Sequence, residues 1–332
     1  MPGRGLGGRL AALAAGLALA AGLAAGCGSD DAAAGRPEIV VTTTVLGSLT
    51  QELVGDAAEV SVLMPNGVDP HDYQPSARDV EALRRADLVV ENGLELEEGL
   101  LDALGHARDS GVPVFTATDH VRLREVGEGE PGDDHGHDEG DDHGHDDEAS
   151  GAKEDGKHAH GPEDPHIWMD PIAMRDAMAA LAPVVERELG VGLGERPAGL
   201  AARLDALDAG IRQTLAVVPE ERRKLVTGHE SMGYFADRYD FEIVGTVIPS
   251  LSSQAQASAS NLAALRRQVE AEGVPAIFNE AGTPPGVADA IGDQTGARVV
   301  EIGTHNLPGD GSYFTFMREA AATVAGALAQ EP

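Results

Sequence analysis

The chain has 332 residues, 42% of which are hydrophobic, so it can form two domains of ordinary size, each with its own core. A formal net charge of −32 argues against a nucleic-acid partner and against a basic surface that binds anionic lipid. The single cysteine excludes an internal disulfide.

The N-terminus has the pattern of a secretory signal that ends at a lipid-attachment site. Residues 1–26 combine two arginines with an uncharged Ala/Leu/Gly run and small residues at its end. Cys27 follows directly and resembles the acylated cysteine of a bacterial lipobox, although Ala24 stands where that motif usually has leucine. The alternatives are an ordinary cleaved signal and an uncleaved membrane helix. We expect a lipid on Cys27 to anchor the protein outside the cytoplasm, with residues 27–36 as a flexible tether.

Strands and helices alternate along residues 37–196, which we assign to a first α/β lobe. Ser76 begins one of the helices, because Asp79 three residues later completes a variant of the capping box. Alternation at this spacing is typical of βαβ units and predicts a mostly parallel sheet flanked by helices. The predicted strands are Glu38–Thr42, Val60–Met64, Leu88–Val90 and Val112–Phe115, and further helices are predicted at Val45–Val54, Glu97–Arg108 and Ile172–Leu189.

An acidic, His-rich stretch at residues 125–163 interrupts this alternation. It contains almost no apolar residue, so it cannot bury enough surface to offset the entropy that ordering would cost. We therefore predict a disordered loop.

The alternation resumes along residues 218–332, which we assign to a second α/β lobe. Residues 197–217 precede it and carry leucine and isoleucine at helical spacing, which predicts one long helix. The predicted strands of the second lobe are Lys224–Thr227, Glu242–Val247, Pro275–Phe278 and Arg298–Ile302, and its predicted helices are Asn261–Glu272, Val287–Gln294 and Phe314–Leu328.

Four histidines are candidates for one metal site. His71, His229 and His305 each follow a predicted strand, at the edge where parallel sheets bind ligands. His166 shares the tripeptide Asp-Pro-His with His71, and the proline makes the backbone position of each histidine reproducible. Taken singly, each histidine is more often a surface or hydrogen-bonded residue. Together, four imidazoles form a tetrahedral nitrogen shell that suits zinc, whereas manganese and magnesium prefer carboxylate oxygen.

Acidic residues next to these histidines could orient the rings and balance the charge of the ion. A zinc hydrolase is an alternative, in which a carboxylate beside His229 serves as the general base. Against this alternative, the chain has no HExxH motif, no paired Cys-x-x-C and no serine-nucleophile elbow, so we predict that it is not an enzyme. The acidic candidates are Glu230, Asp69, Asp72 and Asp164.

Four segments, "PNGVDPHDYQPS", "EDPHIWMDP", "TGHESMGYFA" and "IFNE", resemble the zinc/manganese solute-binding proteins of ABC importers, the ZnuA/TroA-like family. The resemblance covers roughly residues 38–328. It implies two α/β lobes joined by one long linker helix, which we place on residues 197–217, and one metal ion in the cleft between the lobes.

The resemblance also implies which residues bind the ion. His71 and His166 match the first two ligands, and His229 matches the third, which is commonly glutamate in manganese members. The fourth ligand of the family is usually an aspartate after the last strand. In this chain His305 stands there, with Asp310 five residues later. We expect His305 to be the ligand, and Asp310 or an open position are the alternatives.

The resemblance therefore implies an extracytoplasmic, monomeric Zn²⁺-binding protein that delivers the ion to an ABC permease and its ATPase, with Mn²⁺ as the less expected ion. A surface adhesin or zinc buffer of the same fold is the alternative. In the acidic loop, closing a disordered chain around an ion costs entropy, so its histidines should bind zinc weakly and collect it near the cleft. A solvated acidic linker is the alternative for this loop. Its histidines are His135, His137, His143, His145, His158 and His160.

Overall fold

Two four-stranded parallel sheets, one in each half of the chain, form the framework of the protein. This computed structural model describes residues 35–126, 163–280, 282–283 and 286–329. The predicted signal, the lipid-attachment site at Cys27, most of the tether and nearly all of the acidic loop lie outside these residues.

The first sheet has the order β2-β1-β3-β4, with every neighbouring pair of strands parallel. Its two central strands are almost completely buried, as expected for a parallel sheet that helices cover on both faces. The strands are β1 (Glu38–Val41), β2 (Glu59–Val62), β3 (Leu88–Glu91) and β4 (Val114–Thr116), and the helices between them are α1 (Thr44–Val54), α2 (Ala77–Arg85) and α3 (Leu101–Asp109).

The second sheet repeats this topology with the order β6-β5-β7-β8, although no repeat is visible in the sequence. All of its neighbouring strands are parallel too. Both sheets thus confirm the predicted mostly parallel α/β fold. The strands are β5 (Lys224–Thr227), β6 (Glu242–Thr246), β7 (Ala276–Asn279) and β8 (Arg298–Glu301), and the helices are α6 (Gly233–Tyr239), α7 (Ala259–Glu272), α8 (Val287–Thr295) and α9 (Tyr313–Leu328).

Two long helices lie between the sheets in the chain, α4 (Pro171–Leu189) and α5 (Arg196–Leu215). Helix α5 packs against α4, α9 and α1. Its inward residues are the ones that the helical spacing predicts, and they join a hydrophobic core that includes residues of both sheets. The assignment of α5 as a linker helix stays a prediction, as do the lobe boundaries. The buried apolar residues of α5 are Leu200, Leu204, Leu207, Ile211 and Leu215.

Local signals fixed some boundaries well and others poorly. The predicted capping box is present, since Ser76 Oγ accepts from the Asp79 N–H and Asp79 Oδ2 accepts from the Ser76 N–H. The predicted helix Glu97–Arg108 instead starts with a 3₁₀ turn at Glu98–Leu100, because the Glu97 side chain is buried and accepts hydrogen bonds from the loop before it. Helix α6 was not predicted at all. In the described part of the chain, no helix has both the length and the apolar character that crossing a bilayer requires.

Candidate metal centre

The two Asp-Pro-His tripeptides form the same local structure. The N–H of His71 donates to Asp69 Oδ1 at 3.0 Å, and the N–H of His166 donates to Asp164 Oδ1 at 2.9 Å. An aspartate that accepts from the backbone two residues later closes a tight turn, and the intervening proline restricts it further. The repeated motif therefore holds both histidines in stiff loops.

Contacts with other segments hold the His166 loop in place. Asn92, directly after β3, donates through Nδ2 to the carbonyl oxygen of Pro165 at 2.8 Å. Trp168 donates through Nε1 to the carbonyl oxygen of Thr304 at 2.6 Å, which links this loop to the loop that carries His305.

The second half of the chain supplies the other two histidines from strand ends. His229 lies two residues beyond β5, and its N–H donates to Glu280 Oε1 at 2.8 Å. His305 lies four residues beyond β8. Both strand-end positions agree with the sequence analysis, because the carboxyl ends of parallel strands share one edge of the sheet.

The four rings meet in one buried group. One ring nitrogen from each of His71, His166, His229 and His305 lies within 4.8 Å of the other three, and the residues are 4%, 0%, 1% and 6% exposed. Nε2 of His166 lies 3.4 Å from Nε2 of His71 and 3.2 Å from Nε2 of His229. Donors about 2.0–2.1 Å from a tetrahedral zinc ion lie about 3.3–3.4 Å apart, so these two separations fit such a shell.

Polar groups on the outer side of the rings orient them. Nδ1 of His166 lies 2.8 Å from Asp164 Oδ1, Nδ1 of His229 lies 3.1 Å from Glu280 Oε1, and Nδ1 of His305 lies 3.1 Å from Thr304 Oγ. A carboxylate at Nδ1 selects the tautomer with the proton on that nitrogen, which leaves the Nε2 lone pair free for a metal. Nδ1 of His71 lies 3.4 Å from Glu98 Oε1.

Glu280 is the functional residue that the sequence analysis missed. Its buried carboxylate accepts from the His229 N–H, from Ser231 Oγ at 2.7 Å and from Thr304 Oγ at 2.6 Å. Burial by itself would raise its pKa, but the charge and hydrogen bonds of His229 hold the pKa of Glu280 far below its usual range. Glu280 directly follows β7, so the strand-end rule used for the histidines would have found it in "IFNE".

The four acidic candidates from the sequence lie in different places. Asp164 contacts the ring of His166, and Asp69 holds the backbone of His71 and accepts from Ser253 Oγ at 2.5 Å. Asp72 is exposed. Glu230 lines the opening of the site, whereas the carboxylate at Nδ1 of His229 is that of Glu280.

The alternative fourth ligand, Asp310, points elsewhere. It is exposed, and its carboxylate accepts from the Ser312 N–H at 3.0 Å and from Thr315 Oγ at 2.7 Å at the start of α9. His305 occupies the fourth position of the buried group, and its Nε2 has no hydrogen-bond partner among the described residues.

The protonation of the rings follows from burial and from the nearby carboxylates. Burial lowers the pKa of His71, His166 and His305, the last to about 3. Burial also acts to lower the pKa of His229, but the adjacent carboxylate of Glu280 outweighs it and leaves the pKa above the ordinary 6.5. Three of the four rings are therefore neutral at neutral pH, as metal ligation requires.

A groove of about 770 Å³ opens beside His71. Glu98, Glu163 and Glu230 line it, and such a concentration of acidic groups favours the approach of cations. At its edge Ser252, after β6, donates to Glu98 Oε1 at 2.6 Å, so a hydrogen bond joins the two halves next to His71.

Comparison with known sequences identifies the family. The sequence pattern of the ZnuA family, described as "Zinc-uptake complex component A periplasmic", matches residues 39–327. The chain belongs to the ZnuA family. This family consists of solute-binding components of metal importers, so the chain is not an enzyme.

Individual relatives of this ZnuA-family chain bind different metals according to their names. The zinc-binding protein TroA of Treponema pallidum is 30% identical, with 97% of this chain and 99% of TroA covered. The high-affinity zinc uptake system protein ZnuA of Bacillus subtilis is 29% identical over 83% of this chain and 81% of its own length. The manganese-binding lipoprotein MntA of Halalkalibacterium halodurans is 25% identical over 93% of this chain and 95% of its own length.

The solved structure of Treponema pallidum TroA, a periplasmic zinc-binding protein, has a TM-score of 0.70 to this chain, with 25% identity. The match covers 89% of this chain and all of that structure. The two-lobe α/β fold of the ZnuA family is therefore the fold of this chain.

Proposed function

We propose that this protein binds one Zn²⁺ ion outside the cytoplasm through His71, His166, His229 and His305 and delivers it to an ABC permease and its ATPase. The observation that carries the proposal is the convergence of four buried imidazole nitrogens within 4.8 Å. Four imidazoles give a tetrahedral shell of neutral nitrogen donors, and both the donor type and the geometry suit zinc.

The donor set favours zinc over manganese. Among the described residues, no carboxylate belongs to the four-membered group of possible ligands. Mn²⁺ prefers oxygen donors and lies lower than Zn²⁺ in the affinity order for nitrogen sites. We expect Mn²⁺ to bind more weakly, even though one relative is named for manganese.

A complete protein shell suits capture and delivery. Catalytic zinc sites keep a coordination position open for water, whereas four protein ligands fill a tetrahedral ion. The carboxylates of Glu280 and Asp164 lie behind His229 and His166 and offset the charge of the bound ion through the rings. Delivery then requires movement of the protein and no chemical step.

The lipid anchor is a further part of the proposal. The N-terminal pattern that ends at Cys27 supports acylation of this cysteine, and relatives such as MntA are named as lipoproteins. Attachment at Cys27 would keep a monomeric protein near its permease. Loss of membrane association in a Cys27→Ser variant, measured by fractionation of cells, tests this part separately.

Zinc titration in competition with a chromophoric chelator tests the metal site. Single alanine variants at the four histidines should each bind zinc more weakly than the wild type. His120→Ala is the matched control, because His120 is exposed and stacks on Phe115 outside the buried group. Equal zinc affinity for the four variants and the control would contradict the proposed site. Anomalous scattering at the zinc edge from a metal-soaked crystal would locate the ion independently.

A further inference from the structure

Arg124 contacts the carboxylate that orients His166. Asp164 Oδ1 accepts from both the N–H and Nδ1 of His166, and Asp164 Oδ2 lies 3.6 Å from Nη1 of Arg124. Asp164 is fully buried, and a buried carboxylate is costly without a counter-charge. The guanidinium of Arg124, with 10% of its side chain exposed, provides that charge at short range.

Arg124 is also attached to the second half of the chain. Its Nε donates to Asp237 Oδ2 at 3.0 Å, and its backbone N–H donates to the phenol oxygen of Tyr234 at 3.0 Å. Both partners belong to α6, which precedes β6 in the second sheet. The carbonyl oxygen of Arg124 accepts from the Asp164 N–H at 2.9 Å. Arg124 therefore contacts Asp164 through both its backbone and its side chain.

The backbone of α6 lies directly against this pair. A Cβ atom added to Gly233, the first residue of α6, would lie 2.6 Å from Arg124 Nη1 and 2.6 Å from Asp164 Oδ2. No side chain fits between them, so a shift of α6 must move the Arg124–Asp164 pair.

We propose that Arg124 is a positioning residue for metal binding, which holds Asp164 against His166 and connects this pair to α6. This inference rests on the proposed function, because it takes His166 as a zinc ligand. The consequence is a mechanical connection between the two halves. The position of α6 in the second half sets how firmly the His166 ring is oriented, so closure of the halves tightens the shell around the ion.

The test compares three variants of the full chain by zinc affinity and by the visible absorption spectrum of bound Co²⁺. Arg124→Gln removes the charge and should weaken zinc binding by up to about 10-fold, the lower end of the range for groups that contact a metal ligand directly, because Arg124 acts through Asp164. Arg124→Lys keeps the charge, but lysine has no planar group that can contact Asp164 and Asp237 at once. Its zinc affinity should therefore lie between those of the wild type and Arg124→Gln. Arg122→Gln is the matched control, because Arg122 is exposed two residues away, and its affinity should stay within about twofold of the wild type.

The Co²⁺ spectrum separates positioning from a general loss of stability. A change in the orientation of one imidazole alters the ligand field and shifts the visible bands, whereas a less stable fold with an intact site leaves the bands of the bound ion unchanged. Equal affinities and equal spectra for Arg124→Gln and Arg122→Gln would overturn the role of Arg124 while leaving the proposed function intact. If Arg124→Gln does not fold, Arg124→Lys decides, and wild-type affinity with a wild-type spectrum would overturn the proposal. A wild-type protein without zinc affinity would overturn both inferences together.

Discussion

Replacing Glu280 with glutamine should weaken zinc binding at pH 8 and flatten its pH dependence. Glutamine has the same shape, so its amide oxygen can take the place of Oε1 and accept from the His229 N–H, while its NH2 group faces the Ser231 and Thr304 hydroxyls, which can accept. What the variant loses is the negative charge 3.1 Å from Nδ1 of His229. That charge makes the ring a stronger donor and offsets the charge of the ion.

The magnitude follows from the position of this carboxylate. Removing a group that orients a metal-bound histidine typically costs about 10–100-fold in affinity, or about 1.4–2.7 kcal/mol. We expect the upper part of this range, because Glu280 is almost fully buried and is also hydrogen-bonded to Thr304, which contacts His305. One substitution therefore weakens the support of two rings.

The sign of the pH effect follows from His229. Its pKa is raised above 6.5 in the metal-free protein, because the adjacent Glu280 carboxylate outweighs the lowering effect of burial. Zinc must displace that proton, so wild-type affinity should fall by up to about tenfold per pH unit below the raised pKa. In the variant only the weaker effects of Asp69 and Asp164 still oppose burial, so the pKa of His229 falls below its wild-type value and the affinity should decrease less steeply from pH 8 to about pH 6.5. The two affinities should therefore converge as the pH falls.

Chelator competition at pH 8, 7 and 6, at one ionic strength, measures both effects. Glu301→Gln is the matched control, since Glu301 is an exposed carboxylate that accepts from Asn279 Nδ2 at 2.7 Å at the neighbouring strand end. The control should match the wild type at each pH. Parallel pH profiles for Glu280→Gln and the wild type would refute the assignment of the displaced proton to His229. Unchanged affinity at pH 8 would refute the role of Glu280.

Four other substitutions test the site and the core. His305→Ala should weaken zinc binding by more than the loss of about 10–100-fold that is expected for a residue behind a ligand. Asp310→Ala should leave the Kd for zinc unchanged. A larger loss for Asp310→Ala than for His305→Ala would reassign the fourth ligand. His305→Asp replaces a nitrogen donor with oxygen and should reduce the preference for Zn²⁺ over Mn²⁺ in a competition between the two ions. Leu204→Ala in α5 should lower the free energy of unfolding by about 2–5 kcal/mol in urea denaturation, because Leu204 is fully buried, and zinc affinity extrapolated to the folded protein should not change.

The fold was largely predictable because its pattern is local. Strand and helix positions followed from apolar runs and periodicity, and the parallel sheets followed from their alternation. Helix α6 was missed because its seven residues make fewer than two turns, too few for periodicity to show. Its aromatic residues are fixed by tertiary contacts, with Phe235 and Tyr239 packed 4.8 Å apart in the core.

The site was predictable only where its residues share a local motif. The two Asp-Pro-His turns and the strand-end histidines could be read from neighbouring residues alone. Glu280 lies 51 residues from His229, and the Asp237 partner of Arg124 lies 113 residues away. No local pattern encodes such contacts, because they depend on which strands pair and how α6 packs. The four histidines and Asp164 were candidates from the sequence, but the contacts that Glu280 and Arg124 make required the structure.

The distribution of the proposed ligands along the chain would couple zinc binding and release to the relative position of the two halves. His71 and His166 precede α5, whereas His229 and His305 follow it, so each half contributes two donors. With the halves together, the ion has four donors and a buried site. If the halves separate, each retains only two imidazoles. Arg124 would also lose its contacts with α6, and Asp164 would then hold the His166 ring less firmly. Affinity then depends on the closure of the lobes, so a permease that holds them apart would release the ion without any change in pH or ligand chemistry.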